Sequence, residues 1–294
     1  MNRRHRIGAL AAAALLAPFA LVACGDNSAE ADPAVSKDAP LHDMLPEELQ
    51  DKDSLTIASN VEYPPFEFLD SDNKTVLGID REIADGLEKQ LGIKLVFDNI
   101  AFDAIIPGLE SGRYEMAMSA MTDNLERQQQ VDFVDYFKAG AGVMSRTEDG
   151  DSYQTLDDIC GLTAGIVKGT TEVPQAAEGS KACEAAGKPP IESVIFPGQN
   201  QAILAIANGR VDVVLMDSAP GAYAAAQTTG LQMSPPYQSQ PFGVVFAKGT
   251  DELQKAVQKA LENMLESGDY EAALAKYGLE SGAVDAFPIN GATE

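Results

Sequence analysis

Four side chains raise a chemical question first: Thr122, Arg127, Thr171 and Asp217. The Arg127 guanidinium carries N–H donors in a planar fork that suits a carboxylate. Thr122 stands where it can cap a helix through Asp123-Asn124-Leu125-Glu126-Arg127, whose free N–H groups also favour an anion. A second anion cradle is expected at Lys168-Gly169-Thr170-Thr171-Glu172, a Gly turn between a strand pattern and a helical one. The Lys precedes the Gly there, so it is not a nucleotide-binding P-loop. Asp217 offers an acceptor for an ammonium group. One fork, two cradles and one carboxylate match a zwitterion. Blander readings stand beside this one: a solvated Arg127, and Asp217 as a cap for Ser218-Ala219-Pro220.

Those residues must be held by particular elements. Short apolar strand patterns alternate with helical ones from Leu55 onward, which is α/β patterning. An internal echo sharpens this. Leu109-Glu110-Ser111-Gly112-Arg113-Tyr114-Glu115-Met116-Ala117-Met118 reads as helix end, glycine turn and buried strand. Ile206-Ala207-Asn208-Gly209-Arg210-Val211-Asp212-Val213-Val214-Leu215 follows the same plan. One such unit per lobe implies two similar lobes, the alternative being chance likeness of two αβ turns. Parallel sheets bind ligands beyond the carboxyl ends of their strands, so Thr122 and Asp217 are expected to face one cleft. Tyr63 and Phe102 lie at two further strand ends and can flank an apolar stem. Phe66 and Phe68 read as core.

Composition narrows the partners. The chain of 294 residues has a formal charge of −24. That excludes nucleic acid, which needs clustered basic residues. The acidity serves solubility, with steering of a cationic ligand as the second reading. Both histidines, His5 and His42, precede the folded pattern, so no nucleophile–base–orienter set is visible. No cofactor or metal is expected, and Cys160 and Cys183 without nearby His ligands read as a disulfide of an oxidising compartment.

The N-terminus reads as a targeting device. Arg3, Arg4 and Arg6 precede an apolar run from Ile7 to Val22, too short to make a good span. Leu21-Val22-Ala23-Cys24 resembles the lipobox of bacterial lipoproteins. That implies cleavage before Cys24 and acylation of its thiol, against an ordinary signal peptide with an incidental Cys. Removing the three arginines leaves 18 basic against 45 acidic residues, a mature charge of −27. Residues 1–23 are then signal peptide and 24–53 a lipidated flexible tether. Lobe 1 takes 54–143 plus 241–285, lobe 2 takes 144–240, and 286–294 form a tail.

Several motifs, in this order, resemble the family 3 solute-binding proteins of ABC importers, the polar amino acid receptors. They are Tyr63-Pro64-Pro65-Phe66-Glu67-Phe68, Gly78-Ile79-Asp80, Phe102-Asp103-Ala104-Ile105-Ile106-Pro107-Gly108-Leu109, Met121-Thr122 with Glu126-Arg127, Val131-Asp132-Phe133, Gly169-Thr170-Thr171 and the stretch Asp212 to Asp217. They span residues 54 to 278. The resemblance implies a two-lobe periplasmic-binding-protein fold, each lobe a sheet flanked by helices. The lobes are joined by two strands crossing near Ala141–Ser145 and Ser239–Val244. Asp251 to Tyr277 would return to the first lobe.

The resemblance also implies roles. Arg127 binds the α-carboxylate, aided by Thr171. Thr122 and Asp217 hold the α-amino group, with a backbone carbonyl near Ala120. Tyr63 and Phe102 sandwich the side chain. Met121, Gly169 and Thr170 complete the expected set. Relatives for basic amino acids often carry an acidic residue where this chain has Asn60, a departure that Glu62 can offset. The register of Lys168 with a pocket Lys of glutamine receptors stays open. The implied function is capture of a polar or basic L-amino acid by lobe closure and delivery to an ABC permease. The chain would be a monomer, lipid-anchored to the outer face of the cell membrane, and not an enzyme. The alternative is a periplasmic dehydratase-like enzyme on the same fold.

Overall fold

The computed structural model describes residues 35–293; the expected signal peptide and Cys24 lie outside the described residues. Order begins earlier than expected. Residues 41–53 are not tether: helix α1 (Glu47–Gln50) carries Leu49 into the core, and Leu45 enters beside it. The spacing Leu41, Leu45, Leu49 is an apolar stripe within a polar composition, and burying it in the first lobe outweighs that composition. His42 is buried with it, Nδ1 2.9 Å from the Leu91 carbonyl oxygen and Nε2 3.1 Å from that of Gln50.

The chain then runs β1 (Ser54–Ser59), a small antiparallel sheet of β2 (Glu62–Tyr63), β3 (Glu67–Leu69) and β4 (Val76–Leu77), α2 (Ile79–Leu91), β5 (Lys94–Asn99), α3 (Ile105–Glu110) and β6 (Met116–Thr122). Helix α2 buries Ile79, Ile83, Leu87 and Leu91, one stripe at a spacing of four, and ends at Gly92 in the left-handed conformation. Gly78 starts it at φ 119°, where a Cβ would lie 2.0 Å from the Phe66 carbonyl oxygen, so only glycine fits. Strand β6 is buried along its whole length, in keeping with a run that is apolar except at Ser119 and the terminal Thr122.

Next come β7 (Val131–Arg146), β8 (Thr163–Val167), α4 (Glu172–Ala185), β9 (Glu192–Phe196), α5 (Gln199–Ala207), β10 (Val213–Asp217), α6 (Ser218–Gln227), β11 (Leu231–Met233), β12 (Gln238–Ala247), α7 (Asp251–Ser267) and α8 (Asp269–Ala275). The echo is structural. After α3 and after α5, a glycine at φ near 72° reverses the chain, and the next Arg N–H returns to the carbonyl of Gly108 or of Ala205. Parallel pairings β1–β5 and β1–β6 in one half match β8–β9 and β8–β10 in the other.

The halves do not keep separate sheets. The order β5-β1-β6-β12-β7-β10-β8-β9, with β11 also on β7, is one hydrogen-bonded path, because β7 and β12 pair along their length and run through both halves. The apolar core does divide. Ala139 and Phe242 pack with the first half, Val143 and Tyr237 with the second. Helices α7 and α8 return to the first half, burying Val257, Leu261 and Tyr270 there.

Residues 286–293 are not a free tail. Phe287 is buried, Ile289 bridges to Val134, and the Ala292 N–H donates to Asp123 at 3.0 Å. The tail covers Asp123 and Asp135. Burial, then the neighbouring Asp123 charge, pushes Asp135 up to about 7.

Two stability outcomes follow. Cys160 and Cys183 are joined, with Cα atoms 5.6 Å apart and a sequence separation of 23. Replacing both by Ser is expected to lower unfolding stability by about 3 kcal/mol in denaturant titrations, since the bridge restricts the unfolded chain. A loss under about 0.5 kcal/mol would refute that estimate. The second outcome concerns Asp135. A carboxyl raised in the folded state contributes stability that is fully present below its unfolded value near 3.8 and lost as pH rises through about 7. Asp135→Asn should leave the melting temperature at pH 4 unchanged and raise it at pH 8 by roughly 5 °C. Equal shifts at both pH values would contradict the assignment.

Candidate functional site

The strand ends converge on one cleft of about 430 Å³ of non-atom space, counted out to open solvent. The first half contributes Asn60, Tyr63, Glu67 and Phe102, and from β6 and just beyond it Ser119, Ala120, Thr122 and Arg127. The second half contributes Val167, Thr170, Thr171, Glu172, Gln199 and Asp217.

Arg127 is the cleft's cation. It opens a single 3-10 turn, Arg127–Gln129, rather than lying on a helix capped by Thr122. Thr122 ends β6, so the first expected cradle is not a helix terminus. The guanidinium is fixed by carbonyls instead: Nη1 donates to Thr122 O at 2.6 Å and Nη2 to Gly169 O at 3.1 Å, one from each half. The Phe102 ring lies below it, 5.8 Å from centroid to Cζ. Burial draws Arg127 below its usual range, while Glu172 and then Asp217 oppose that.

At the second expected cradle the structure has the strand–glycine turn–helix junction, β8 to α4. Gly169 turns at φ 83°, and Thr171 takes the N-cap position of the 14-residue helix α4 without a side-chain cap bond. Asp217 likewise stands at the N-cap of α6 without a cap bond. Its Oδ2 accepts a hydrogen bond from the Tyr63 hydroxyl at 2.7 Å, across the cleft. The cap reading of Asp217 therefore fails. Burial, then the charge of Glu172, lifts Asp217 well above the usual carboxylate range, with Tyr63 and Arg127 pulling the other way. Tyr63 is raised in turn, by burial and then by Asp217.

Below the cleft sits a buried acid pair. Ser119 Oγ donates to Glu67 Oε1 at 3.0 Å and itself accepts the Asn60 N–H at 3.0 Å. Asp80 takes the Tyr136 hydroxyl at 2.5 Å and the Ala120 N–H at 3.2 Å. Burial, then the charge of Asp80, raises Glu67 far above the usual range; burial lifts Asp80 to about 6. Above this network Ala120 has φ 43°, a left-handed conformation rare for a residue with a Cβ. The β6–β12 register shifts beside it, between Gly243 and Val245. Such a strained, bulged position is a common mark of a functional site.

Three expected residues fall outside the lining. Met121 points to the opposite face from Ala120 and packs with Ile105, Leu109 and Phe133. Glu62 turns to the second half at the rim, where its Oε2 lies 2.7 Å from where a Cβ on Gly198 would be. Gly169 acts only through its carbonyl. Lys168 is not in the cleft; its Nζ pairs with Asp103 at 2.6 Å across the two halves. Sequence reasoning missed Glu67, Ser119, Val167, Glu172 and Gln199. Val167 ends β8, and Glu172 follows Thr171 directly, so the strand-end rule pointed near both.

This geometry has relatives. Residues 55–280 match the profile of the bacterial extracellular solute-binding proteins, family 3. The arginine-binding protein ArgT of Corynebacterium glutamicum is 30% identical over 281 residues, 92% of this chain and 91% of that one. A probable histidine-binding protein of Neisseria gonorrhoeae is 27% identical over 279 residues, 93% of this chain and 96% of its own. Among solved structures, an ancestral arginine-binding protein bound to arginine superposes with TM-score 0.70 at 31% identity, covering 77% of this chain and 99% of that one. An ancestral arginine-binding protein bound to glutamine superposes with TM-score 0.71 at 30% identity, covering 78% of this chain and 99% of that one. A cleft built at the strand ends of two crossing-linked halves, together with a profile match over most of the length, makes this chain a member of the family 3 bacterial extracellular solute-binding proteins.

Proposed function

We propose that the cleft captures an L-amino acid by its zwitterionic head and passes it to an ABC permease. Arg127 takes the α-carboxylate with Thr171, using N–H donors not committed to Thr122 and Gly169. Asp217 takes the α-ammonium with Thr122 and a carbonyl near Ala120. Tyr63 and Phe102 flank the side chain. The single observation that carries this is that the Arg127 guanidinium of the first half and the Asp217 carboxyl of the second line one cleft. The curated relatives are named for arginine or histidine, in line with a polar or basic ligand.

The reading extends to the rest of the chain. We take it as a receptor rather than an enzyme, because Arg127 and Asp217 suit the two charges of a zwitterion and its relatives are named as binding proteins. It works outside the cytoplasm, as its family does. We further propose that it is a monomer held at the outer face of the cell membrane by lipid on Cys24. Closure follows from contact: a ligand that touches both halves only when they meet stabilises that state.

A thermal-shift panel of the twenty amino acids checks the central claim. A ligand at 100 times its dissociation constant should add about 2.7 kcal/mol of stability. No shift with any amino acid would end the proposal. Asp217→Ala should keep the fold by circular dichroism and weaken the best ligand at least roughly a hundredfold. The pH dependence has a definite sign. Asp217 must be ionised to receive an ammonium, and its ligand-free carboxyl is raised. Binding therefore releases a proton, and affinity climbs with pH until Asp217 is ionised in the free protein. Calorimetry in buffers of different ionisation heat reads that proton, and proton uptake instead of release would contradict the assignment.

A further inference from the structure

The head-group assignment leaves one cleft charge without a counterpart. Arg127 and Asp217 are both answered by a zwitterion, Arg127 by its carboxylate and Asp217 by its ammonium. Glu172 remains. It is the first residue of α4, it lines the same cleft, and it is only 2% exposed. Its Oε1 is buried with no hydrogen-bond partner among the described residues. A buried carboxylate oxygen without a partner is costly, and a ligand that supplies a donor removes the cost.

Other acids that could do this work are elsewhere. Position 60 holds an amide, and its Nδ2 is engaged by the Ile100 carbonyl at 2.9 Å. Glu62 faces Gly198 at the rim rather than the cleft. Glu67 lines the floor, but its carboxyl belongs to the pair with Asp80 and accepts from Ser119. Arg127, Asp217 and Glu172 together leave one negative charge when a neutral amino acid is bound. They leave none when the ligand carries a second positive charge.

We propose that Glu172 is a specificity-determining residue: its buried carboxylate, whose Oε1 has no hydrogen-bond partner among the described residues, makes the cleft select amino acids with a cationic side chain over neutral ones of the same shape. The inference rests on the proposed function and adds to it the ligand's charge class and the residue that reads it. Specificity here is a difference of two affinities, one of which leaves a buried charge unanswered.

L-Arginine and L-citrulline make the test, since they share length and shape and differ in the charge of the terminal group. Calorimetry on the wild type should give arginine at least about thirtyfold tighter than citrulline. In Glu172→Gln the ratio should fall by at least about tenfold, through loss of arginine affinity, with citrulline held within about threefold. Glu172→Asp, which keeps the charge, should retain the preference for arginine. A wild type that binds both equally overturns the inference with no variant needed. An unchanged ratio in Glu172→Gln also overturns it. So does an equal loss of both ligands in a variant that folds by circular dichroism, because Glu172 would then serve the shared head group. Failure of the wild type to bind any amino acid is a different result, and it sinks the proposed function itself.

Discussion

Taking the Arg127 guanidinium out of water is the constraint on which the cleft depends. A buried cation must be answered by dipoles and charges, and here they come from two halves of the chain. Two carbonyls fix the group, one at the end of β6 and one in the turn after β8. The acidic groups that most favour its charge, Glu172 and then Asp217, belong to the second half, while Glu126 and Asp123 of the first half add less. Parting the halves would take the cation away from Glu172 and Asp217, the two acids that favour it most. Bringing them together without a ligand gathers two carboxylates around one guanidinium. On the proposed reading, a zwitterion answers Arg127 and Asp217, and Glu172 is left for a charge on the ligand's side chain. On that reading, closure is an electrostatic matter as well as one of shape.

That balance requires positions held to fractions of an ångström, and the frame beneath the cleft supplies them. β7 and β12 carry backbone pairing from one half into the other, so the halves are linked by two stiff, mutually bonded strands. Asp80 ties the Ala120 N–H and the Tyr136 hydroxyl into one buried knot, which holds Ala120 in its left-handed turn. Around the outside, α1 and the C-terminal residues close over the first half. Tyr270, a buried residue of α8, donates to the Tyr136 carbonyl and receives the Val284 N–H. The segments that look like loose ends in composition are part of the scaffold.

Much of this was legible before any coordinates, and the reason is periodic. A strand end is marked by where an apolar run stops, so Thr122, Asp217 and Thr171 could be found by counting. The echo around Gly112 and Gly209 exposed the two-part design because a left-handed turn demands glycine. Side-chain direction is what counting cannot supply. Met121 and Ala120 are adjacent, yet alternation along β6 sends one to the core and the other to the cleft. Glu62 and Glu67 are five residues apart on a small sheet whose orientation no local pattern reveals; one reaches the rim and the other the floor. Gln199 enters only because α5 starts beside the cleft, a fact of tertiary packing. Residues 41–53 hid a three-leucine stripe beneath a polar composition, and composition was the wrong quantity to weigh.

The strong acidity of the chain takes on a narrower meaning in this light. At physiological salt, charges more than about 8 Å apart are largely screened, so most of the −24 cannot act on a ligand already in the cleft. Surface acids serve solubility and mutual repulsion. The carboxylates that matter to a bound molecule are the enclosed ones, where water no longer screens them and burial has lifted Asp217 far from its ordinary range. The Lys168–Asp103 pair bridges the halves with one charge of each sign, so it adds no net field of its own. On the proposed function, recognition by charge belongs to a handful of buried groups, which closure would strengthen.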